Sequence, residues 1–144
     1  MKTELEGRTQ EFSVRIVRLI RTFPKTVDGI GMGRQLLRSG TSIVANYRKA
    51  NRAGSKGDFV HKAGIAEKEA SETVYWLELC EASPLGNADE VRAHLAESNE
   101  LLAILTTIGR KAKGRTRRIV GAVASFAALA TVLFSLSRFP AFRF

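Results

Sequence analysis

The stretch GRQLLRSGTSIVANYRKANRA, residues 33–53, decides the fold class. Its apolar side chains recur at the spacing of one helical face, which predicts an amphipathic α-helix. Small residues around Gly40 interrupt its centre, where a glycine costs about 1 kcal/mol relative to alanine. We therefore predict that a neighbouring helix approaches closely at Gly40. The expected apolar positions are Leu36, Leu37, Ile43, Val44, Tyr47 and Ala50.

Upstream of this stretch, an apolar face predicts a first helix that Pro24 ends, because the residue before a proline is biased away from the α region. Its expected core positions are Phe12, Ile16, Leu19, Ile20 and Phe23. The segment 28–33 contains three glycines and predicts a flexible turn before the second helix.

Downstream, residues 58–82 and 88–111 predict a third and a fourth helix, with Ser55 or Asp58 capping the third. Long helices joined by short connections favour antiparallel neighbours. The sequence thus predicts an all-α fold, an up-down four-helix bundle over residues 8–112. The expected buried positions are Phe59, Ala63, Ala66, Ala70, Thr73, Val74, Leu77 and Cys80, followed by Val91, Leu95, Ser98, Leu102 and Leu105.

The chain changes character after residue 112. Residues 113–118 form a basic segment in which Gly114 is expected to break the helix, and residues 119–144 form an apolar tail. Residues 119–136 carry no charge and reach the lower length limit for a membrane span. Three interpretations of the tail remain open: a C-terminal membrane anchor, an extra helix packed on the bundle, and a divergent segment without a selected role.

Composition limits the class of protein. The chain of 144 residues has room for one domain with a modest extension. The single cysteine, Cys80, excludes an intramolecular disulfide and a multi-cysteine zinc site. The first residues contain no apolar run, so we expect no secretory signal and a cytoplasmic location.

The net charge of +9 is divided into blocks of opposite sign. Residues 8–56 have a balance of +9, residues 57–100 a balance of −7 and residues 101–144 a balance of +8. Such blocks can pair within or between subunits, and an unpaired basic block can bind a polyanion. Composition alone does not choose between these two roles.

Residues with catalytic chemistry form no recognisable site. His61 and His94 lie far apart in sequence, and Cys80 falls on an apolar stripe. The glutamates of the third helix lack the Glu-x-x-His spacing of di-iron bundles. They fit better as solvated charges or as partners of the basic second helix. We therefore expect no enzyme activity, no cofactor and no metal.

The second and third helices also carry an ordered pattern over many positions. The strings QLLRSGTSIVANY (residues 35–47), DF (58–59) and IAEKEASETVYWLEL (65–79) closely resemble the bacterial four helix bundle protein family. That family includes proteins encoded in intervening sequences of large-subunit ribosomal RNA genes. It also includes the accessory variability determinant of diversity-generating retroelements. The resemblance covers about residues 9–112.

The resemblance implies a short up-down bundle that assembles as a homopentameric barrel. For the retroelement accessory protein it further implies a basic surface that binds nucleic acid and a partner reverse transcriptase. The segment from about Gly114 onward departs from the compact family pattern.

Basic residues of the first two helices are the candidate nucleic-acid contacts. One group falls near a single helical face of the second helix, and another lies one turn apart on the first. Repeated in a ring, these cations would form a belt that binds phosphates without sequence preference. The alternative pairs them with the acidic third helix. The candidate residues are Arg15, Arg18, Arg48, Lys49, Arg52 and Lys56, with Arg110, Lys111 and Lys113 after the fourth helix.

These observations predict a non-catalytic, homo-oligomeric accessory protein that binds RNA or an RNA–DNA hybrid and presents it to a partner such as a reverse transcriptase. The alternative function is a structural or membrane-tethered assembly, in which the basic blocks contact other subunits and residues 119–136 contact lipid.

Overall fold

Four helices make up the regular structure of residues 3–137. The computed structural model describes the backbone of residues 3–137 and the side chains of residues 3–114. The helices are α1 (Glu4–Ile20), α2 (Val27–Asn51), α3 (Lys56–Ala82) and α4 (Ala88–Ser137). The chain divides into two compact units, Met1–Arg110 and Lys111–Phe144. The first unit confirms the predicted all-α four-helix bundle.

Side-chain contacts show the antiparallel order of the helices. Early in α1, Glu6 lies 3.4 Å from Arg52 at the end of α2. Later in α1, Ser13 donates a 2.9 Å hydrogen bond to the carbonyl of Gly40 in the middle of α2. On the other side of α1, the Phe12 ring lies 6.3 Å from the His94 ring of α4. Contacts that follow one another along α1 occur in the reverse order along α2, so the two helices are antiparallel, as in an up-down bundle.

The core consists of one buried side from each helix, close to the predicted faces. Two predicted core positions of α2 differ, because Leu37 is 41% exposed and Val44 is only partly buried. In α4, Leu101 is fully buried while Leu102 is partly buried, so the α4 face is rotated slightly from the predicted seam. The largest fully buried apolar residues are Phe12, Ile16, Leu19, Leu36, Ile43, Leu77, Leu101 and Leu105.

The close approach predicted at Gly40 is confirmed. A β-carbon built on Gly40 would lie 3.1 Å from Cγ2 and 3.2 Å from Cγ1 of Ile16. The neighbouring hydroxyls bond within their own helix, as Ser39 Oγ does to the Gln35 carbonyl at 3.1 Å. The small residues at the centre of α2 therefore serve helix packing.

The predicted turn over residues 28–33 is wrong, because α2 begins at Val27. Thr26 caps the helix by accepting a hydrogen bond from the Gly29 amide. Two of the three glycines face neighbouring atoms: a β-carbon on Gly29 would lie 2.2 Å from the Pro24 carbonyl oxygen, and one on Gly33 would lie 3.1 Å from Ile20. Close packing, rather than a turn, explains these two glycines, whereas a β-carbon on Gly31 would meet nothing within 4 Å.

The fourth helix also differs from its predicted end at residue 111. The α-helix α4 includes Gly114, because a single glycine costs only about 1 kcal/mol within a helix. No helix among the residues described is long and apolar enough to cross a membrane. The proposed lipid contact of residues 119–136 concerns side chains outside the described range.

Candidate nucleic-acid interface

The turn between α2 and α3 brings four candidate cations together. Arg48 and Lys49 lie in the last turn of α2, Arg52 is its C-cap, and Lys56 is the first residue of α3. The side chain of Ser55 accepts a hydrogen bond from the Asp58 amide at 3.1 Å, so α3 begins immediately after a short connection. Cations at a helix C-terminus are favoured by the helix dipole. We call these four residues the junction cluster.

One buried carboxylate anchors this cluster to α1. Glu6 is only 2% exposed, and the Arg52 guanidinium lies 3.4 Å from its Oε1. Burial acts to raise the pKa of Glu6, but the hydrogen bond with Asn51 and the positive charges of Arg52 and Arg48 hold that pKa below its ordinary value. Glu6 is therefore ionised at neutral pH and partly neutralises Arg52 and Arg48.

The other cations of the junction cluster retain unused hydrogen-bond donors. Lys49 is exposed and has no ion-pair partner among the described residues. Lys56 Nζ and Arg48 Nε are both shielded from solvent without a hydrogen-bond acceptor in the described part of the chain. Arg52 is the one member of the cluster that forms an ion pair within the described residues, with Glu6, which leaves the junction positively charged. The N–H groups of such a surface can donate hydrogen bonds to phosphate oxygens.

Arg15 and Arg18, which were predicted to act together, have different surroundings. Arg8 donates hydrogen bonds of 2.8 and 3.0 Å to Glu97 and a further one to Glu100. Arg15 joins this network, with its guanidinium 3.8 Å from Glu97 Oε1. The hydrogen bond from Arg8 is the main cause that holds the pKa of Glu97 below its ordinary value. Arg15 therefore helps to hold α1 against α4.

Arg18 is exposed and forms no ion pair with any described residue. It lies twelve positions after Glu6 on α1, which corresponds to about 18 Å along the helix. The structure thus separates Arg18 from the junction cluster within one subunit. The two predicted groups of cations are therefore separate within one subunit, and the predicted belt would join them through the repetition of subunits in a ring.

The last three candidate cations lie at the division between the two compact units. Arg110, Lys111 and Lys113 are exposed on α4 and form no ion pair within the part of the chain that the structure describes. Arg110 belongs to the first unit, and the two lysines belong to the second. Their role in nucleic-acid binding stays a prediction.

The predicted pairing of α3 glutamates with the basic second helix occurs at a residue outside the candidate set. Arg38 donates a hydrogen bond to Glu72, and its guanidinium lies 3.6 Å from Glu69. The pKa of Glu72 is lowered, first by that hydrogen bond. Arg38 lies one turn before Ser42 in the string QLLRSGTSIVANY. The helical register alone could have identified it as a partner of the α3 glutamates.

Sequence reasoning missed a second group of unpaired cations. Arg21, Lys25 and Arg34 surround a surface groove between the end of α1 and the start of α2. They belong to the same basic block, but the wrongly predicted turn at residues 28–33 hid their proximity. Only the observed start of α2 at Val27 places Arg34 beside the α1–α2 connection.

Metal-ligating side chains and the single cysteine were the remaining chemically reactive groups that the sequence offered. No group of three His, Cys, Asp or Glu side chains suited to a metal ion occurs in the described range. Cys80 is 1% exposed, and its burial raises the pKa of the thiol to about 11. A protonated, buried thiol is a poor nucleophile.

The comparisons with known proteins agree with the fold. The sequence model described as 23S rRNA-intervening sequence protein matches residues 2–107. A crystal structure of a protein of unknown function from the S23 ribosomal protein family of Bacteroides thetaiotaomicron is similar, with 39% sequence identity and a TM-score of 0.68. That similarity covers 73% of this chain and 97% of the other. No curated protein matches. The bundle, its helical order and the match over residues 2–107 together show that the chain belongs to the 23S rRNA-intervening sequence protein family.

Proposed function

We propose that this protein is a non-catalytic, homo-oligomeric accessory protein that binds RNA or an RNA–DNA hybrid through the junction cluster. The observation that carries the proposal is the convergence of Arg48, Lys49, Arg52 and Lys56 at one end of the bundle. Arg52 pairs with Glu6, and the other three form no ion pair among the described residues, so the charge of the cluster is incompletely neutralised.

The donors of the cluster suit phosphate better than a protein carboxylate. Lys49 offers an ammonium at the surface, whereas Lys56 Nζ and Arg48 Nε are shielded from solvent without a described acceptor and would reach a phosphate once their side chains turn outward. Phosphate contacts of this kind give affinity without reading base sequence. The proposed ligand is therefore a structured backbone rather than a defined sequence.

Assembly would multiply this modest patch. Each additional copy in a ring adds another junction cluster, and the affinity of linked sites exceeds that of one site when their spacing allows simultaneous contact. We propose a homopentamer, in line with the family resemblance, which presents the bound strand to a partner enzyme such as a reverse transcriptase. A reverse-transcription assay with and without the protein tests the latter role.

The binding proposal is tested with the full chain, a short fluorescent RNA hairpin and a salt series. Binding should weaken steeply as salt rises, with a slope of about −0.7 to −0.9 per phosphate contact. Lys49→Ala and Lys56→Met should each reduce the magnitude of that slope by about one contact. Lys68→Ala, an exposed lysine on α3, is the matched control. Negligible affinity at low salt, or equal losses in the control, would overturn the proposal.

A further inference from the structure

The groove beside the α1–α2 connection combines an apolar floor with a basic rim. Its volume is about 330 Å³, and its floor includes Phe23 and Gly33. Ile30 and Leu37 line it while 46% and 41% exposed. The rim consists of Arg21, Lys25 and Arg34, which form no ion pair with any described side chain. We call this surface the α2 groove.

Exposed apolar side chains of this size usually mark a contact surface when they adjoin one another. Val27, one turn before Ile30, is 93% exposed and extends the apolar area at the start of α2. The cations around it indicate that the occupant carries negative charge, because like-charged or neutral surfaces would leave three cations unpaired. The fitting occupant is therefore an apolar surface flanked by carboxylates.

A surface of that chemistry lies on the same chain. Tyr75 is 54% exposed on α3, and its ring meets Trp76 edge-on at 5.0 Å between centroids. Glu78 and Glu81 follow over the next two turns, are exposed, and have no ion-pair partner among the residues described. Tyrosine is enriched at protein interfaces because its ring is apolar and its hydroxyl is polar. We call Tyr75, Glu78 and Glu81 the α3 ridge.

The α2 groove and the α3 ridge lie at the same end of the bundle. Gly86, in the α3–α4 connection, packs so closely on the α1–α2 connection that a β-carbon there would lie 2.8 Å from Cε1 of Phe23. The ridge occupies the last turns of α3, and the groove occupies the end of α1 and the start of α2. The two surfaces therefore have similar heights along the helices but lie on different helices.

We infer that the α3 ridge of one copy docks into the α2 groove of the next, as a head-to-tail contact. This inference rests on the assembly part of the proposed function and specifies its interface. Because both surfaces have similar heights, the contact relates neighbours by a rotation about an axis along the helices with little translation. Head-to-tail contacts of that kind close into rings, whereas those with a translation build filaments.

Charge reversal of each surface tests the docking. In full-length protein at neutral pH, Glu78→Arg with Glu81→Arg should place like charges opposite Arg21, Lys25 and Arg34. Lys25→Glu with Arg34→Glu should do the same from the other side. Each double variant should reduce the light-scattering mass from that of the assembly toward the 15.8 kDa of one chain. The chain carrying all four reversals should regain the assembly, because the complementarity is restored with its sign inverted.

A matched control variant and a measurement of folding distinguish loss of the interface from loss of the fold. Glu11→Arg reverses an exposed charge ten positions before Arg21, about 15 Å away along α1, and should leave the mass unchanged. Helical circular dichroism verifies that each variant is folded.

If neither double variant lowers the mass, or if the fourfold variant does not restore it, the docking is overturned. The proposal that the chain forms an assembly would stand. A wild-type chain that stays monomeric at all concentrations would overturn both the docking and the proposed assembly. RNA binding is measured separately, so that part of the proposed function is tested independently. Loss of binding to phosphatidylserine-containing vesicles with unchanged mass would assign the groove to a membrane surface instead and would also overturn the docking.

Discussion

Gly40 of α2 and Ile16 of α1 form a close helix crossing in the middle of the bundle, with 3.1 Å between the place of an added β-carbon and Ile16 Cγ2. Ile16 is fully buried, so it has little room to move away. The Gly40 carbonyl at the same crossing accepts the hydrogen bond from Ser13. At this crossing, Ile16 leaves little space for a side chain at position 40, and the Gly40 carbonyl takes part in a buried hydrogen bond.

We expect Gly40→Ala to destabilise the protein. The alanine gains about 1 kcal/mol of helix propensity, but overpacking against Ile16 costs about 1–3 kcal/mol. Gly64→Ala is the matched control, since a β-carbon at Gly64 on α3 meets nothing within 4 Å and should stabilise the helix. Urea denaturation measures both. Equal stabilisation by the two alanines would show that the crossing can relax.

Glu97→Gln should lower stability at neutral pH by about 1 kcal/mol, because it weakens the bonds that Arg8 and Arg15 make across the α1–α4 contact. The pKa of Glu97 is lower in the folded chain than its ordinary value. Its contribution to stability is therefore present above the unfolded pKa and is lost as the pH falls through the folded pKa.

The measurement is the unfolding free energy of wild type and Glu97→Gln from pH 7 down into the acid range. The two curves should converge below the ordinary glutamate pKa of 4.5. Glu11→Gln, at an exposed site on α1, should leave stability nearly unchanged throughout. A difference between wild type and Glu97→Gln that persists at low pH would contradict the electrostatic explanation.

Glu6→Gln should move stability and nucleic-acid affinity in opposite directions. The variant loses a carboxylate whose negative charge Arg52 and Arg48 stabilise, so unfolding should become easier. The junction cluster at the same time loses its buried negative charge. RNA binding at low salt should strengthen several-fold, as measured by anisotropy below the unfolding temperature. Weaker binding by a folded variant would show that Glu6 positions the arginines rather than opposing them.

Lys56→Met should leave stability unchanged or raise it, although it weakens RNA binding. The Lys56 ammonium nitrogen is shielded from water without an acceptor in the described structure, and an unsatisfied buried donor costs about 1–3 kcal/mol. Methionine fills similar space without that donor. A rise in the midpoint of thermal unfolding is the expected result, with Lys68→Met as the exposed control. A marked loss of stability would indicate an ion pair for Lys56.

Cys80 should react with thiol reagents only when the bundle opens. Burial raises its pKa to about 11, so at pH 8 almost all of the thiol is protonated as well as inaccessible. Labelling of the native chain should be slower than labelling in denaturant by orders of magnitude. Rapid labelling in native buffer would show that the α3 face is locally open.

The fold was predictable because most of its determinants are local and periodic. The close approach at Gly40 and the buried alanines of α3 follow from spacing alone, and both are confirmed. The start of α2 was not predictable in the same way. Glycine composition indicated a turn, whereas the cap from Thr26 and the packing of Gly33 on Ile20 made those residues helical.

The candidate site was only partly predictable from the sequence. The helical register grouped the cations from Arg48 to Lys56, because they are close together in sequence around the connection between α2 and α3. It could not show that Arg15 pairs with Glu97 on α4, since that contact depends on how the helices are arranged around the core. The same limit hid Arg34, whose neighbours Arg21 and Lys25 lie across a helix connection.

The contact between Gly86 and Phe23 has a consequence for the order of folding. Gly86 has a φ of +83°, and its backbone lies against the ring of Phe23, which precedes it in the chain by the whole of α2 and α3. The helical hairpins of neighbouring helices can form locally, but this contact closes a long loop of chain and must overcome its entropy. We therefore expect the α1–α2 and α2–α3 pairs to form early. Seating of Gly86 on Phe23 would then be a late step that commits α4 to the bundle, and substitutions there would act mainly on the unfolding rate.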